Sequence, residues 1–585
     1  VNSIPEPFDR SLPSPLADLA ALRSSGEDSV VATDRLSSRQ RAMYVATELD
    51  ENLATRIAND VDLRLVLLTG SAGGGKSALI RQLQRRLPPG TLTRVVEDAT
   101  HADSPSEGQT DRLADILAGF EDGVPGAGDL TVMAANTGLL LELHREFRDR
   151  AREPLAEVVA YALHVLGVPG TRAVTPTRRA ELSTAVLVVD LDQRPTSGGE
   201  RRLLRSMLSA LHPDSPDGVL AGAPRCQTCT VKAWCAPRTN VELLADSRIG
   251  EALDEAIEHV AMRRGRDVAP RQLWDSVDEL ALGGISTEGD PCDAVARIAT
   301  DRNAGAVWAH LLPNGAFVHP QSAVTRELAE LDPSYRASDE AHAIIASVGI
   351  SPADDRRMLE RLLGHGGSDV LHAVVTAASA LEQGVAANAA RGLVRAHWLV
   401  RLIPLGPVVP DEFKAAVAAQ EEAEDRVIEV VCEGLVQAFG RKAERKSYLP
   451  TESLGESREA RVLVQVELED EVQLLDQYAQ TLNPEGSAVV GRRPLTARLK
   501  IGKSTVDLDL PLYQLLQLAG DGSLPATVDI ERFHALRYAA ERVGRAASDD
   551  IDRPLLITDD THGTAFLVSS QQRRGKQRLK IEKVA

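Results

Sequence analysis

Val66-Leu67-Leu68-Thr69-Gly70-Ser71-Ala72-Gly73-Gly74-Gly75-Lys76-Ser77-Ala78-Leu79-Ile80 reads as a strand, a glycine-rich turn and the opening of a helix. From Gly70 to Ser77 it fits G-x-x-x-x-G-K-[ST] in full. Residues 65–68 are continuously apolar, as a strand covered on both faces of a parallel sheet requires. Leu79, Ile80, Leu83 and Leu87 then recur at helical spacing. Phosphate oxygens need several donors at close range. Glycines let backbone N–H groups converge, and the following helix presents its positive end, so Gly70, Ser71, Ala72, Gly73, Gly74, Gly75, Lys76, Ser77 and Ala78 are the expected nucleotide-binding set. Lys76 is expected to reach the β/γ-phosphates of ATP, and Ser77 to offer its hydroxyl to Mg²⁺. A strand–helix turn that binds nothing would explain the glycines but not the agreement of strand, motif and helix.

The rest of the composition sets limits. With 585 residues and 43% hydrophobic content the chain is too long for one core. Aromatic residues are only 3%, so its cores must be aliphatic. No window approaches the ~18 unbroken apolar residues of a membrane helix, and residues 1–10 lack the pattern of a signal peptide, so a cytoplasmic location without membrane contact is expected. The formal charge of -19 argues against indiscriminate nucleic-acid binding while leaving room for a local basic channel. Five cysteines, three of them clustered, suit a reducing compartment and a metal better than a disulfide scaffold.

After the glycine loop, residues 92–96, 130–135 and 185–189 read as three further short strands separated by helical stretches, the pattern of βα units. In an open parallel sheet the C-terminal ends of such strands gather on one rim beside the loop. Those ends carry Asp98-Ala99-Thr100, Ala135-Asn136-Thr137-Gly138 and Asp190-Leu191-Asp192. Asp190 is the first choice for a Walker B carboxylate, because it follows the most β-branched run and the water shell of Mg²⁺ needs an anionic acceptor. Asp98 competes for that role. Asn136 resembles the polar sensor of AAA+ enzymes, whose amide orients water or touches the γ-phosphate; opening a turn is its plainer role.

Four segments are expected: a loosely ordered leader (1–40), a P-loop core (41–240), a helical lid and helical region (241–450), and a C-terminal α+β module with a basic tail (451–585). The fold class is α/β, an AAA+/ASCE-like P-loop NTPase core with these additions. A helix over 39–59 should lead into the first strand, and a long helix should run from 412 to 439. Strand alternation over 461–468 and 495–510, and a hairpin about 559–563, mark the last module. The tail Arg573, Arg574, Lys576, Arg578, Lys580 and Lys583 reads as a solvated tail or a nucleic-acid contact. Near the end of the core, Cys226, Cys229 and Cys235 form C-x2-C-x5-C. Zn²⁺ wants four ligands, a [4Fe–4S] cluster wants four Cys, and the fourth must come from His212, Cys292 or Cys432. Three thiols packed as small hydrophobes is the alternative.

Gly70-Ser71-x-Gly73-x-Gly75-Lys76-Ser77, Asp98-Ala99-Thr100, Ala135-Asn136-x-Gly138-Leu139-Leu140 and Asp190-Leu191-Asp192-x-Arg194-Pro195 stand in the first half. The cysteine cluster, Asn240-x-x-Leu243-Leu244, Leu331-Asp332-Pro333 and Asp507-Leu508-x-Leu510-x-Leu512-Tyr513 follow. In this order they resemble the ATPase component of phosphorothioation-dependent DNA restriction systems, the DptF type. Gly74 departs from that pattern, which has an acidic residue there. The resemblance implies an ATPase within a multi-subunit antiviral complex that attacks DNA lacking the backbone sulfur, beside a helicase-like protein and other subunits. A second copy of the chain is a further candidate partner. The alternative is a signalling or scaffold NTPase switch that does not act on DNA. Lys76, Asp190, Asp98 and Asn136 are the expected catalytic residues, with Ser77 and Asp190 toward Mg²⁺.

Overall fold

In the computed structural model, which describes residues 7–21, 23, 44–99, 108–125, 129–168, 174–199, 202–211, 220, 222–300, 304–336, 338–347, 383–403, 405, 409–418, 424–451, 460–476, 481–523, 533–559, 562–573 and 576–584, the apolar run after residue 64 is a strand buried at every position. The elements around it are α1 (Glu48–Asn59), β1 (Leu65–Thr69), α2 (Lys76–Arg86), β2 (Arg94–Val96), β3 (Thr131–Ala134), α3 (Thr137–Asp149) and β4 (Val186–Asp190). The four strands form one all-parallel sheet in the order β2-β3-β1-β4, with Leu65 opposite both Thr131 and Val186 and Thr69 opposite Asp190.

Alternation along β1 divides the core. Val66 and Leu68 face Leu49, Leu53 and Ile57 of α1 and Leu79, Ile80 and Leu83 of α2. Leu65 and Leu67 face Leu139, Leu140, Leu143 and Phe147 of α3 and the helix Glu153–Val165. Helices on both faces are why the strand carries no polar alternation. A helix from far along the chain, Pro484–Val490, completes the first of these layers with Val489 and Val490. Asn483 Nδ2 donates to Val188 O at 2.9 Å, tying that helix to β4. Gly486 is required there, because a Cβ would stand 1.9 Å from Val188 O.

The helices after β4 include α4 (Pro224–Thr228), α5 (Ala236–Ala245), α6 (Pro270–Leu282) and α7 (Pro291–Thr300), the last three of which share an aliphatic core. Residues 7–21 of the expected loose leader belong to this core instead. Helix Pro15–Ala20 starts at Pro15 behind the Ser14 cap and buries Leu16 and Leu19, and Phe8 is also buried. The apolar spacing was too short to register as a helical period. Two buried polar side chains knit this region: Asn240 bonds Ala281 O, His310 O and Leu312 N at 3.1, 2.9 and 2.7 Å. Arg395 bonds both oxygens of Asp332 and Asn314 Oδ1.

The described residues divide into two units, 1–261 with 266–408 and 482–493, and 262–265 with 409–481 and 494–585. The boundary therefore falls at 408 rather than 450, and 482–493 returns to the first unit. In the second unit β5 (Arg441–Ala443), β6 (Lys446–Pro450), β7 (Ala460–Val466), β8 (Val472–Leu475), β9 (Ala497–Ile501), β10 (Ser504–Leu508), β11 (Leu555–Asp559), β12 (Thr564–Arg573) and β13 (Lys576–Val584) make two antiparallel sheets. Their orders are β10-β9-β8 and β13-β12-β11-β7-β6-β5. The expected helix over 412–439 is two helices, Asp411–Val417 and Glu424–Phe439, with 419–423 outside the described residues. The basic segment is likewise not a tail: Arg573 ends β12, Lys576, Arg578, Lys580 and Lys583 lie in β13, which pairs along β12, with the last three exposed, and Arg574 lies outside the described residues. Basic charge on an edge strand blunts pairing with further chains, so composition alone mimicked a solvated tail. Among the described residues no helix is long and apolar enough to cross a membrane.

Candidate functional site

Residues 70–75 join the C-terminal end of β1 to the N-terminus of α2. Gly70, Gly73 and Gly75 have φ of +132°, +83° and +91°, conformations that side chains rarely adopt. Gly74 N donates to Ser71 O at 3.2 Å, closing the turn. Lys76 is the first residue of α2, so it and Ser77 sit where backbone N–H groups have no partner within the helix and the dipole favours an anion. Lys76 Nζ donates to Gly70 O at 2.6 Å and Ser71 O at 2.9 Å. Burial pushes its ammonium below the usual value, while Asp192 and Asp98 pull it back up.

The strand ends meet this loop unequally. Ser77 Oγ donates to Glu97 O at 3.0 Å, which brings the end of β2 to the start of α2. Glu97's carboxylate receives Arg81 at 3.0 and 2.9 Å, and Asp98, beyond Asp192, is a second acid that acts on Lys76. Asn136 caps α3, its Oδ1 accepting from Leu139 N at 2.7 Å, which leaves its Nδ2 as the group with protons to give. Asp190 holds the turn after β4: Oδ1 accepts from Asp192 N at 3.1 Å and Oδ2 from Gln193 Nε2 at 2.9 Å. Burial raises its carboxyl pKa, against those two hydrogen bonds. Thr100 and His212 lie outside the described residues.

Three residues at the loop carry no assigned role from the sequence. Asp192 accepts from Ser71 N at 2.8 and 3.0 Å and from Ser71 Oγ at 2.7 Å, anchoring the first turn of the loop. Arg194, whose Nη2 donates to Thr47 Oγ1 at 2.7 Å, lies with Nη1 3.9 Å from where a Gly75 Cβ would stand. Arg271, at the start of α6, donates from its backbone N to Gly73 O at 3.3 Å and covers the glycine so closely that a Cβ there would lie 2.7 Å from Arg271 Cβ. The signal for Asp192 and Arg194 was their place two and four residues beyond a strand end; Arg271 had none, being almost two hundred residues from the loop. The site thus brings a helix N-terminus, Lys76, Arg194 and Arg271 around the glycine loop, with the Ser77 hydroxyl at the start of the helix.

The cysteines divide. Cys226, Cys229, Cys235 and Cys292 line one open cavity in the first unit. Cys432 is buried in helix Glu424–Phe439 of the second unit, where burial pushes its thiol up to about 12. Among the described residues no group of three or more His, Cys, Asp or Glu is arranged to hold a metal ion. No protein-family model, curated protein or solved structure matches the chain.

Proposed function

We propose that the chain is a P-loop ATPase in which the loop over 70–78 binds the phosphates of ATP. The observation that carries this reading is the joint geometry of the loop: a buried central strand, three glycines at positive φ, and Lys76 and Ser77 at the N-terminus of α2. The residues fit a nucleotide, because the cationic groups converge on the loop and no side chain replaces the glycines that let a polyphosphate approach the backbone.

Lys76 lies partly desolvated against the loop, where its charge acts on a transferring phosphoryl group through a low-dielectric path. Arg194 and Arg271 flank Gly75 and Gly73 and add positive charge without a covalent role. Ser77 Oγ, now donating to Glu97 O, has lone pairs to offer a cation. Mg²⁺ bound there would supply charge neutralisation of the β/γ-phosphates. Asp98 is the acid we assign to the metal side, in preference to Asp190, whose two oxygens hold the turn to Asp192 and Gln193. Asn136 Nδ2 has the donor to orient a water at the rim.

The resemblance to DptF-type proteins supports placing this ATPase in an antiviral DNA restriction complex with a helicase-like partner. Phosphate release from Mg–ATP, measured on the full chain with and without double-stranded DNA, tests both levels. Turnover that DNA accelerates supports the restriction reading. DNA-independent turnover favours a signalling or scaffold switch, and no nucleotide binding removes the ATPase reading itself.

A further inference from the structure

Four of the five cysteines meet at one cavity although Cys292 is 57 residues beyond Cys235 in the chain. The helices that deliver them differ in role. Cys226 lies within α4 and Cys229 ends it. Cys235 is the N-cap of α5, and Cys292 stands in the first turn of α7. Two of the four sulfurs are therefore held at helix N-termini, where negative charge is favoured. The cavity wall also carries Arg225, Lys232 and Arg238. Arg225 is pinned: its Nε donates to Leu12 O at 2.9 Å and its Nη1 bonds Asp290. Ser14 Oγ donates to Cys292 Sγ at 3.3 Å, and Asp290 Oδ1 accepts from Cys292 N at 2.9 Å.

We propose that Cys226, Cys229, Cys235 and Cys292 bind a [4Fe–4S] cluster, with Cys292 as the fourth ligand. A single tetrahedral ion with metal–sulfur bonds of about 2.3 Å would draw its thiolates to within about 3.8 Å of each other. The four cysteines line one open cavity, and a cubane spreads its four thiolates over four iron atoms rather than one. The electrostatics agree: a cluster held by four thiolates is net negative, two helix N-termini favour that charge, and Lys232 adds positive charge in the wall. Packing as small hydrophobes would leave four thiols sharing one cavity with those basic groups. Phe8 and Leu16 also line the cavity, which ties residues 7–20 to the centre.

The full chain, purified without oxygen, should contain about four iron and four acid-labile sulfide per molecule and show a broad visible absorption that bleaches on reduction. Cys292→Ala should lose most of that iron, while Cys432→Ala should keep all of it. Zinc at about one per chain without sulfide overturns the proposal, and so does protein without either metal after in vitro reconstitution with iron and sulfide. Full cluster content in the Cys292→Ala variant overturns the assignment of the fourth ligand. If that variant does not fold, the iron and sulfide content of the parent chain decides the first point. Cys292→Ser then decides the second through a changed absorption and electron-paramagnetic spectrum.

Discussion

At the residue scale the glycine loop was readable because its chemistry is local: Gly70, Gly73, Gly75, Lys76 and Ser77 are within eight positions, and the motif fixes their spacing. The acids were less readable. Asp98 and Asp190 both follow apolar runs, and the sequence cannot say that Asp190 turns both oxygens to Asp192 and Gln193 or that Ser77 reaches the end of β2. Asp98→Asn should lower Mg²⁺-dependent turnover by about 10²-fold or more, on the scale of losing one preorganised charged group. Asp190→Asn should keep most of the activity. Steady-state assays of both variants check this, and the reverse ranking would return the metal role to Asp190. A buried acid away from the loop gives a pH prediction. Asp278 is fully buried and paired with Arg23, and burial above all pushes its carboxyl up to about 7. A raised carboxyl is a proton held by the fold, so its stabilising contribution is whole below the unfolded value of about 4 and is lost as pH rises through about 7. Asp278→Asn should therefore lose less stability than the parent between pH 5 and pH 8. Equal losses in chemical denaturation at the two pH values would contradict the assignment.

At the element scale, apolar period located the four strands within a few residues, because each buries a face against a neighbour close in sequence, whereas the helix read over 39–59 begins only at Glu48. It could not locate the helix Pro484–Val490, whose partner β4 lies about three hundred residues earlier. Its signals, a Pro at the first turn and Asn483 as cap, fit any helix. The approach of Gly486 to β4 makes the contact testable. A Cβ 1.9 Å from Val188 O cannot be relieved by a rotamer change, so Gly486→Ala should cost about 1–3 kcal/mol, as overpacking does. Thermal melting reads that loss, and an unchanged midpoint would show that this helix does not support the sheet. Asn240 and Asp332 carry part of the resemblance, and both do structural duty: one satisfies three backbone groups, the other pairs with Arg395 in the interior. Order and spacing of such residues therefore report the packing of the first unit rather than catalysis.

At the scale of the whole molecule, composition anticipated several aliphatic cores but misplaced the division between them. Residues 409–450 read as more helix, yet Glu424–Phe439 belongs to the second unit, and 482–493 belongs to the first. Helical period reports a buried face without saying what covers it. The reading of the basic C-terminal segment as a tail missed its strand for a related reason, since charge on an edge strand and charge on a tail have the same composition. The central claim remains the phosphate-binding loop, and nucleotide binding with hydrolysis is the direct test. Mg–ATP titrated into the full chain and its Lys76→Ala variant, with phosphate release followed in the same samples, should give saturable binding and turnover in the parent. The variant should fold to the same melting midpoint and release phosphate at least ~10²-fold more slowly, because only a charge acting on phosphate has been removed. Parent-level turnover in the variant, or no binding by the parent chain at millimolar Mg–ATP, would contradict the account.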